Sequence, residues 1–264
     1  MTKVSYDYSD TVVLVTGGGS GIGAAIVKAF AAAGAKVAVA DINDGAAQTS
    51  VEAVRSAGGR AEAFHVDVGD EHSVAALIDA VVSKFGRLDV AINNAGIEAN
   101  TVPLAELDSD NFRKVSAVNL ASVFYCMKAE IRTMQKAGGG VIVNTASISG
   151  LIGGFNLSAY TATKHGVVGM TKAAAMEYAT SNIRINALCP GLVDTPFIGA
   201  LPPPVIDRLI FGIPMGRPGQ PAEMAAAVLW LCSEGASYVT GHTMVVDGAA
   251  SVGAASTRFD DLIG

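Results

Sequence analysis

The chain has 264 residues, of which 50% are hydrophobic and only 16% charged. That composition supplies a large buried core and excludes a disordered chain. The net charge of −6, with cations scattered rather than clustered, excludes nucleic acid and anionic membrane surfaces as partners.

The first residues, Met1 to Tyr8, lack the apolar run of a secretory leader. Val12 to Val15 is a short apolar run, and a helix follows from Gly21 to Ala33, stopped by Gly34. Val37 to Ala40 is a second strand, then a helix runs from about Gly45 to Ala57 before Gly58-Gly59. Ala61 to Val66 is a third strand. Ser73 to Phe85 is amphipathic, with apolar residues at 74, 77, 78, 81, 82 and 85. Val90 to Ile92 is a fourth strand, and one long helix spans roughly Phe112 to Lys136. Val141 to Val143, Arg184 to Cys189 and Thr243 to Val246 complete the set.

Strands that are apolar throughout are buried on both faces, and single helices between them dictate right-handed crossovers. The expected fold is α/β: one doubly wound (Rossmann) domain over residues 1–264, a parallel seven-stranded sheet with helices on both faces. The segment from Pro190 to Pro221 is the irregular part. Pro196, Pro202-Pro203-Pro204, Pro214 and Pro218 interrupt apolar residues, so it cannot be a core strand. It reads as a short amphipathic lid, about 192–220, over the C-terminal edge of the sheet.

No window of about 18 residues is apolar and free of charge, glycine clusters or proline, so no membrane span is expected. Cys126, Cys189 and Cys232 stand apart in apolar segments and read as small buried hydrophobes. The expected setting is soluble and cytoplasmic.

Thr16-Gly17-Gly18-Gly19-Ser20-Gly21-Ile22-Gly23 lies between a strand and a helix, the context in which a glycine turn cradles a dinucleotide. Gly21 and Gly23 leave room for a pyrophosphate and for the helix to pack on the strand, and the helix N-terminus offers unpaired N–H groups. Asp41 stands at the end of the second strand, where a carboxylate accepts hydrogen bonds from ribose hydroxyls and repels a 2′-phosphate. No cation occupies positions 18 to 20, so the expected cofactor is NAD rather than NADP. Asp67-Val68 ends the third strand, suited to the adenine amino group. Asn93-Asn94-Ala95-Gly96 closes the fourth, beside the same ligand.

Past the middle, Ser147 follows the fifth strand, and Tyr160-Thr161-Ala162-Thr163-Lys164 opens a helix. Four residues on a helix put the phenol and the ammonium on one face. A free tyrosine titrates near 10, too high for a base at neutral pH. Lys164 and a cationic nicotinamide are expected to lower it by stabilising the phenolate. His65, His72, His165 and His242 show no metal-ligand spacing, so no metal is expected.

In these motifs, taken in order from Val12 to Gly248, the chain resembles the short-chain dehydrogenase/reductase family, the single-domain branch of about this length. The resemblance implies Tyr160 as general acid/base and Ser147 as the group orienting the substrate oxygen. It implies Lys164 on the nicotinamide ribose, with Asn119 holding a water that links Lys164 to solvent. It extends the cofactor set to Gly17, Ser20, Gly21, Ile22, Gly23, Asp41, Ile42, Asp67, Val68, Asn94, Ala95, Gly96, Pro190, Gly191, Val193 and Thr195, the last two toward the carboxamide. It also implies a homotetramer built on the long helices and the last strand.

Two departures stand out. The last strand ends Asp247-Gly248-Ala249, where the family more often has a second glycine. The tail from Ser251 to Gly264, with Phe259, Leu262 and Ile263, runs past the usual end. It is either disordered or reaches a neighbouring subunit.

The reading is therefore an NAD(H)-dependent oxidoreductase of a secondary alcohol or ketone. Ile97, Ile148, Leu151, Leu157, Leu192 and Phe197 are expected to form a mainly apolar lining for a hydrophobic or cyclic substrate. The rivals are an NADPH-dependent 3-oxoacyl-carrier-protein reductase, opposed by Asp41, and a nucleotide-sugar epimerase, opposed by the glycine spacing. A third, a non-catalytic NAD-sensing protein, is opposed by the intact Tyr and Lys.

Overall fold

The structure is a computed structural model that describes residues 4–199 and 202–253, and at residue 197 the backbone only. The expectations for the tail beyond 253 and for the Phe197 side chain lie outside the described residues. β1 (Val12–Thr16), β2 (Lys36–Asp41), β3 (Arg60–His65), β4 (Val90–Asn93), β5 (Gly140–Thr145), β6 (Ile183–Pro190) and β7 (Thr243–Val246) form one sheet. Its order is β3-β2-β1-β4-β5-β6-β7, with every pairing parallel. The chain starts in the middle, winds outward, then returns to build the other half from β4. The strand order therefore reverses between β1 and β4, and a crevice opens at their C-terminal ends.

Alternation along each central strand feeds two cores. Val13 and Val15 of β1, with Val37 and Val39 of β2, point to one face. There they meet Ile26, Val27 and Phe30 of α1 (Gly21–Ala32) and Val51 and Val54 of α2 (Asp44–Ser56). Val12 and Leu14, with Ala38 and Ala40, point to the other. Their partners include Val74, Leu77 and Ile78 of α3 (Glu71–Phe85) and, further along the sheet, Val167 and Val168 of α6 (Ser158–Tyr178). Each buried Val or Leu contributes about 1.5–3 kcal/mol, so the central strands anchor the fold. Burial on both faces fails at the edge: in β3 only Ala61 is fully buried, because among the described residues no strand pairs with its outer edge.

The long helix expected over 112–136 is broken. α4 (Ser109–Ser116) passes through a π-helical turn, Ala117–Ala121, into α5 (Ser122–Ala137). The wider turn presents Asn119 to the backbone of Ile97, and its amide bonds both sides of that residue. Nδ2 donates to the Ile97 carbonyl and Oδ1 accepts from the Ile97 N–H, each at 2.8 Å.

The proline-rich segment holds two helices, α7 (Pro196–Gly199) and α8 (Pro203–Phe211). Pro203 and Pro204 occupy the first turn of α8, where a missing N–H leaves no bond unmade. A further helix, α9 (Pro221–Cys232), was not legible as one, because its sequence is apolar without a helical period. It packs Met224, Val228 and Leu231 into the core that also holds Phe30. No helix among the described residues is long and apolar enough to cross a membrane.

Candidate active site

β1 carries the glycine turn to the crevice. A Cβ on Gly23 would lie 2.0 Å from the Gly17 carbonyl oxygen, and one on Gly17, at φ +63°, 2.9 Å from the Ala95 Cα. These two glycines close the turn on itself and against the end of β4. Gly21, at φ +52°, faces outward instead, and its nearest neighbour is the Thr195 Cγ2 at 3.4 Å. Ser20 at the α1 N-cap makes no side-chain capping bond, and the first turn carries no acidic residue. The N–H groups there remain available to an anion and are reinforced by the helix dipole, a fit for a diphosphate.

Asp41 is held against this turn. One carboxylate oxygen accepts from the Gly19 N–H at 2.9 Å, the other from the Asn43 N–H at 3.0 Å. Ile42 beside it is 65% exposed. At the end of β3, Asp67 accepts from the Gly69 N–H at 2.9 Å, and Val68 is buried. Thr16 ties β1 to β4: its hydroxyl accepts from the N–H groups of Asn94 and Ala95 at 3.1 and 3.2 Å. The Asn94 amide donates back to the carbonyls of Thr16 and Gly17.

At the catalytic end, Ser147 follows β5, and its hydroxyl accepts from the Ser149 N–H at 3.1 Å. Tyr160 and Lys164 rise from the first two turns of α6. The Lys164 ammonium is buried, donates to the Thr145 carbonyl at 2.9 Å, and lies 5.5 Å from the centre of the Tyr160 ring. Burial pulls Lys164 down to about 8. Burial also pushes Tyr160 up to about 12; the charge of Glu98 adds to the rise, and a hydrogen bond with Ser147 opposes it. The expectation that Lys164 lowers the phenol is therefore not met by these side chains, because desolvation outweighs any ammonium effect.

One cavity of about 690 Å³ gathers much of the expected site. Ser147, Tyr160 and Lys164 line it, as do Ile22, Asn94, Gly96, Pro190, Gly191, Val193 and Thr195. Gly17, Ser20, Gly21, Gly23, Asp41, Ile42, Asp67, Val68 and Ala95 are not on its wall; they lie along the crevice at the ends of β1, β2, β3 and β4. Asn119 is wholly buried and also off the wall, though a Cβ on Gly96 would lie within 3.3 Å of its Oδ1 and 3.6 Å of the Lys164 Nζ.

The apolar lining differs from the expectation. Ile97, Ile148, Leu157 and Leu192 are there, but Leu151 is not; it is 39% exposed. Ile198 of α7, Leu209 of α8 and Ile213 take the remaining places, and Glu98 and Ser149 join them. Sequence reasoning missed these because no local spacing marks a residue that reaches the cavity only through the path of a loop.

The family model described as enoyl-(acyl carrier protein) reductase matches residues 17–251. A cyclohexanol dehydrogenase of Acinetobacter sp. (strain SE19) is 46% identical over 250 residues, 94% of this chain and 98% of that protein. The crystal structure of a levodione reductase superposes with a TM-score of 0.90 at 38% identity, covering 93% of this chain and 99% of that one. A 7α-hydroxysteroid dehydrogenase, solved in complex with NADH and 7-oxo glycochenodeoxycholic acid, gives 0.87 at 33% identity over 92% and 94%.

Proposed function

The chain belongs to the short-chain dehydrogenase/reductase family and is an alcohol dehydrogenase or carbonyl reductase. On that premise we propose that it uses NAD(H) and acts on hydrophobic, cyclic secondary alcohols and their ketones. The observation that carries this reading is the convergence of Tyr160, Ser147 and Lys164 on one largely apolar cavity beside the glycine turn. The relatives named for cyclohexanol and for hydroxysteroids support a ring substrate.

Gly21, Ile22 and Gly23 would hold the diphosphate, and Asp41 the adenosine ribose, with Ile42, Asp67 and Val68 around the adenine. Asn94, Ala95, Gly96, Pro190, Gly191, Val193 and Thr195 would border the nicotinamide end. When bound, the nicotinamide would supply the hydride acceptor for alcohol oxidation and, in its reduced form, the hydride donor for ketone reduction; the oxidised ring also carries a positive charge. In ketone reduction Tyr160 donates the phenolic proton to the nascent alkoxide, the form that its raised pKa favours. In oxidation the phenolate accepts the hydroxyl proton. Ser147 donates a hydrogen bond to the same oxygen through the transition state. Lys164 sits behind Tyr160 to hold the ribose and stabilise the phenolate, and Asn119 fixes the Ile97 backbone next to it.

The assembly proposed is a homotetramer. Phe112 of α4 and Phe124 of α5 are 46% and 48% exposed, and Val245 of the edge strand β7 is 38% exposed. Apolar side chains of this size on helix and strand faces fit a subunit contact. Light scattering on the purified chain checks it: a monomer mass overturns the assembly.

The activity test is the formation of NADH or NADPH absorbance with a panel of cyclic, aromatic and aliphatic secondary alcohols. NAD-dependent turnover that vanishes in Tyr160→Phe supports the reading. Turnover with NADP alone overturns the cofactor assignment, and cofactor binding without turnover overturns the catalytic one.

A further inference from the structure

Glu130 of α5 carries a titratable group that the chemistry above leaves idle, and it belongs to a closed polar cluster inside the core. Glu130, Asn144 and Thr171 are wholly buried, and Asn93 is 3% exposed. Asn93 and Asn144 are register partners on β4 and β5. The Asn93 amide donates to Glu130 Oε2 and to Asn144 Oδ1, each at 3.0 Å. The Asn144 amide donates in turn to Thr171 Oγ1 at 2.9 Å and to Met127 Sδ at 3.2 Å. Both amides have thereby used all of their side-chain N–H groups. Two acceptors are left over, Glu130 Oε1 and Asn93 Oδ1, and neither has a donor among the described residues.

No cation answers this carboxyl. Of the basic residues on the same helix, Lys128 turns outward to Glu71 of α3, and Arg132 is exposed. The ionisable neighbour is Cys126, one turn earlier on α5, a buried thiol whose pKa the Glu130 charge raises further. From β4, β5 and α6 the cluster receives Asn93, Asn144 and Thr171, which do not titrate. A charged carboxylate held there by one hydrogen bond is costly, and such a group takes up a proton instead. Burial accordingly raises Glu130 to about 7, against the pull of the Asn93 bond. One proton on Oε1 removes the charge and creates the donor that Asn93 Oδ1 lacks. Acid and amide then share two bonds, Nδ2–H to Oε2 and Oε1–H to Oδ1, and no acceptor is left over. Ionisation restores the charge and leaves both acceptors without a hydrogen.

The cluster ends where the site begins. Asn94, next along β4, donates to the Thr16 and Gly17 carbonyls of the glycine turn. Thr145, next along β5, holds the Lys164 ammonium through its carbonyl at 2.9 Å. Resting on the alcohol-dehydrogenase reading, we propose that Glu130 is a positioning residue that works as a neutral acid. Paired with Asn93, it sets the ends of β4 and β5 and, through them, Asn94 and Lys164.

The test compares the native chain with Glu130→Gln and Glu130→Leu. Gln offers the same two-bond pairing with no proton to lose, whereas Leu offers neither bond. Infrared difference spectra, native minus Glu130→Gln, are expected to show the carbonyl band of one neutral carboxylic acid at pH 6, fading at pH 8. With cyclohexanol and NAD at pH 6, kcat is expected to fall about 10-fold in Glu130→Leu, KM for the alcohol staying nearly constant. Glu130→Gln is expected to stay near native there. From pH 6 to pH 8 the native-to-Gln ratio of kcat should drop about 3-fold, a change that lost packing alone does not produce. Absence of the acid band overturns the proposal, as does a Glu130→Gln variant as impaired as Glu130→Leu. Near-native kcat in Glu130→Leu also overturns it. If the native chain oxidises no alcohol, the activity reading falls, and the infrared band with the NADH affinities of the three proteins decides this one by the same comparison.

Discussion

The Lys164 ammonium donates to the Thr145 carbonyl at 2.9 Å while lying 5.5 Å from the centre of the Tyr160 ring. The strand end thus fixes the lysine, and the lysine backs the phenol. Burial lowers the one to about 8 and raises the other to about 12, moving the two values apart. Alcohol oxidation is therefore expected to rise with pH on the alkaline side, since it needs phenolate. Lys164→Met removes the buried charge, and its kcat is expected to fall at least 100-fold at pH 7. A variant with near-native kcat would show that the ammonium plays no catalytic part.

Asp41 uses both carboxylate oxygens on backbone N–H groups of Gly19 and Asn43. Asp41→Ala deletes the acceptor for a ribose and frees the Gly19 N–H in the same step. KM for NAD is expected to rise about 10-fold or more, and discrimination against NADP to narrow by a similar factor. Fluorescence titration with NADH and NADPH measures this directly. Unchanged affinity for both would remove Asp41 from the cofactor site.

The glycine turn gives a steric prediction. Gly23→Ala sets a methyl 2.0 Å from the Gly17 carbonyl oxygen, a backbone atom with nowhere to go. Gly45→Ala, with its nearest atom the Asn43 Oδ1 at 3.4 Å, is the control. The first substitution should destabilise the chain by about 3 kcal/mol or more and abolish cofactor binding. The second should be neutral or slightly stabilising. Denaturant midpoints of the two variants decide the matter, and equal midpoints would contradict the turn geometry.

Glu130 of α5 is wholly buried behind the catalytic edge. Its Oε2 accepts from the Asn93 amide at 3.0 Å, which also donates to Asn144, and Asn144 donates to Thr171 at 2.9 Å. Glu130 Oε1 and Asn93 Oδ1 are two buried acceptors with no donor among the described residues. Burial raises the Glu130 pKa from 4.5 to about 7, with the Asn93 bond pulling the other way. An acid raised in the folded state binds its proton more tightly there than when unfolded. Stability is then greatest below about 4.5 and is lost as pH rises toward about 7. The full span is about 3 kcal/mol. Glu130→Gln should flatten that loss, so its melting temperature should exceed that of the native chain at pH 8 by more than at pH 5. Parallel pH curves for the two proteins would sink this assignment.

Much of the fold was legible. Apolar runs such as Val12 to Val15 and Val37 to Ala40 mark their strands because burial on both faces leaves no room for polar residues. The edge strand β3 and helix α9 were less legible. In β3 one side is open, and α9 is apolar all round because it is wedged against α1 and the sheet. The break at Ala117–Ala121 was invisible to periodicity, since its reason is a bond to Ile97, a residue 22 positions away. The apolar wall was read in part: Leu151 stands outside it, while Ile198, Leu209 and Ile213 are on it.

By itself the sequence determined the strand–helix alternation, the glycine turn and the spacing of Tyr160 and Lys164. Each depends on sterics or periodicity over a few neighbouring residues. Tertiary structure alone decided the sheet order, the path that brings Glu98 beside Tyr160, and the direction in which the phenol titrates. Those depend on desolvation and on contacts between residues distant in the chain, and neither has a local signature. Lys164 sits one turn from Tyr160 in any helix, but burial, which the fold imposes, sets the proton affinity of both.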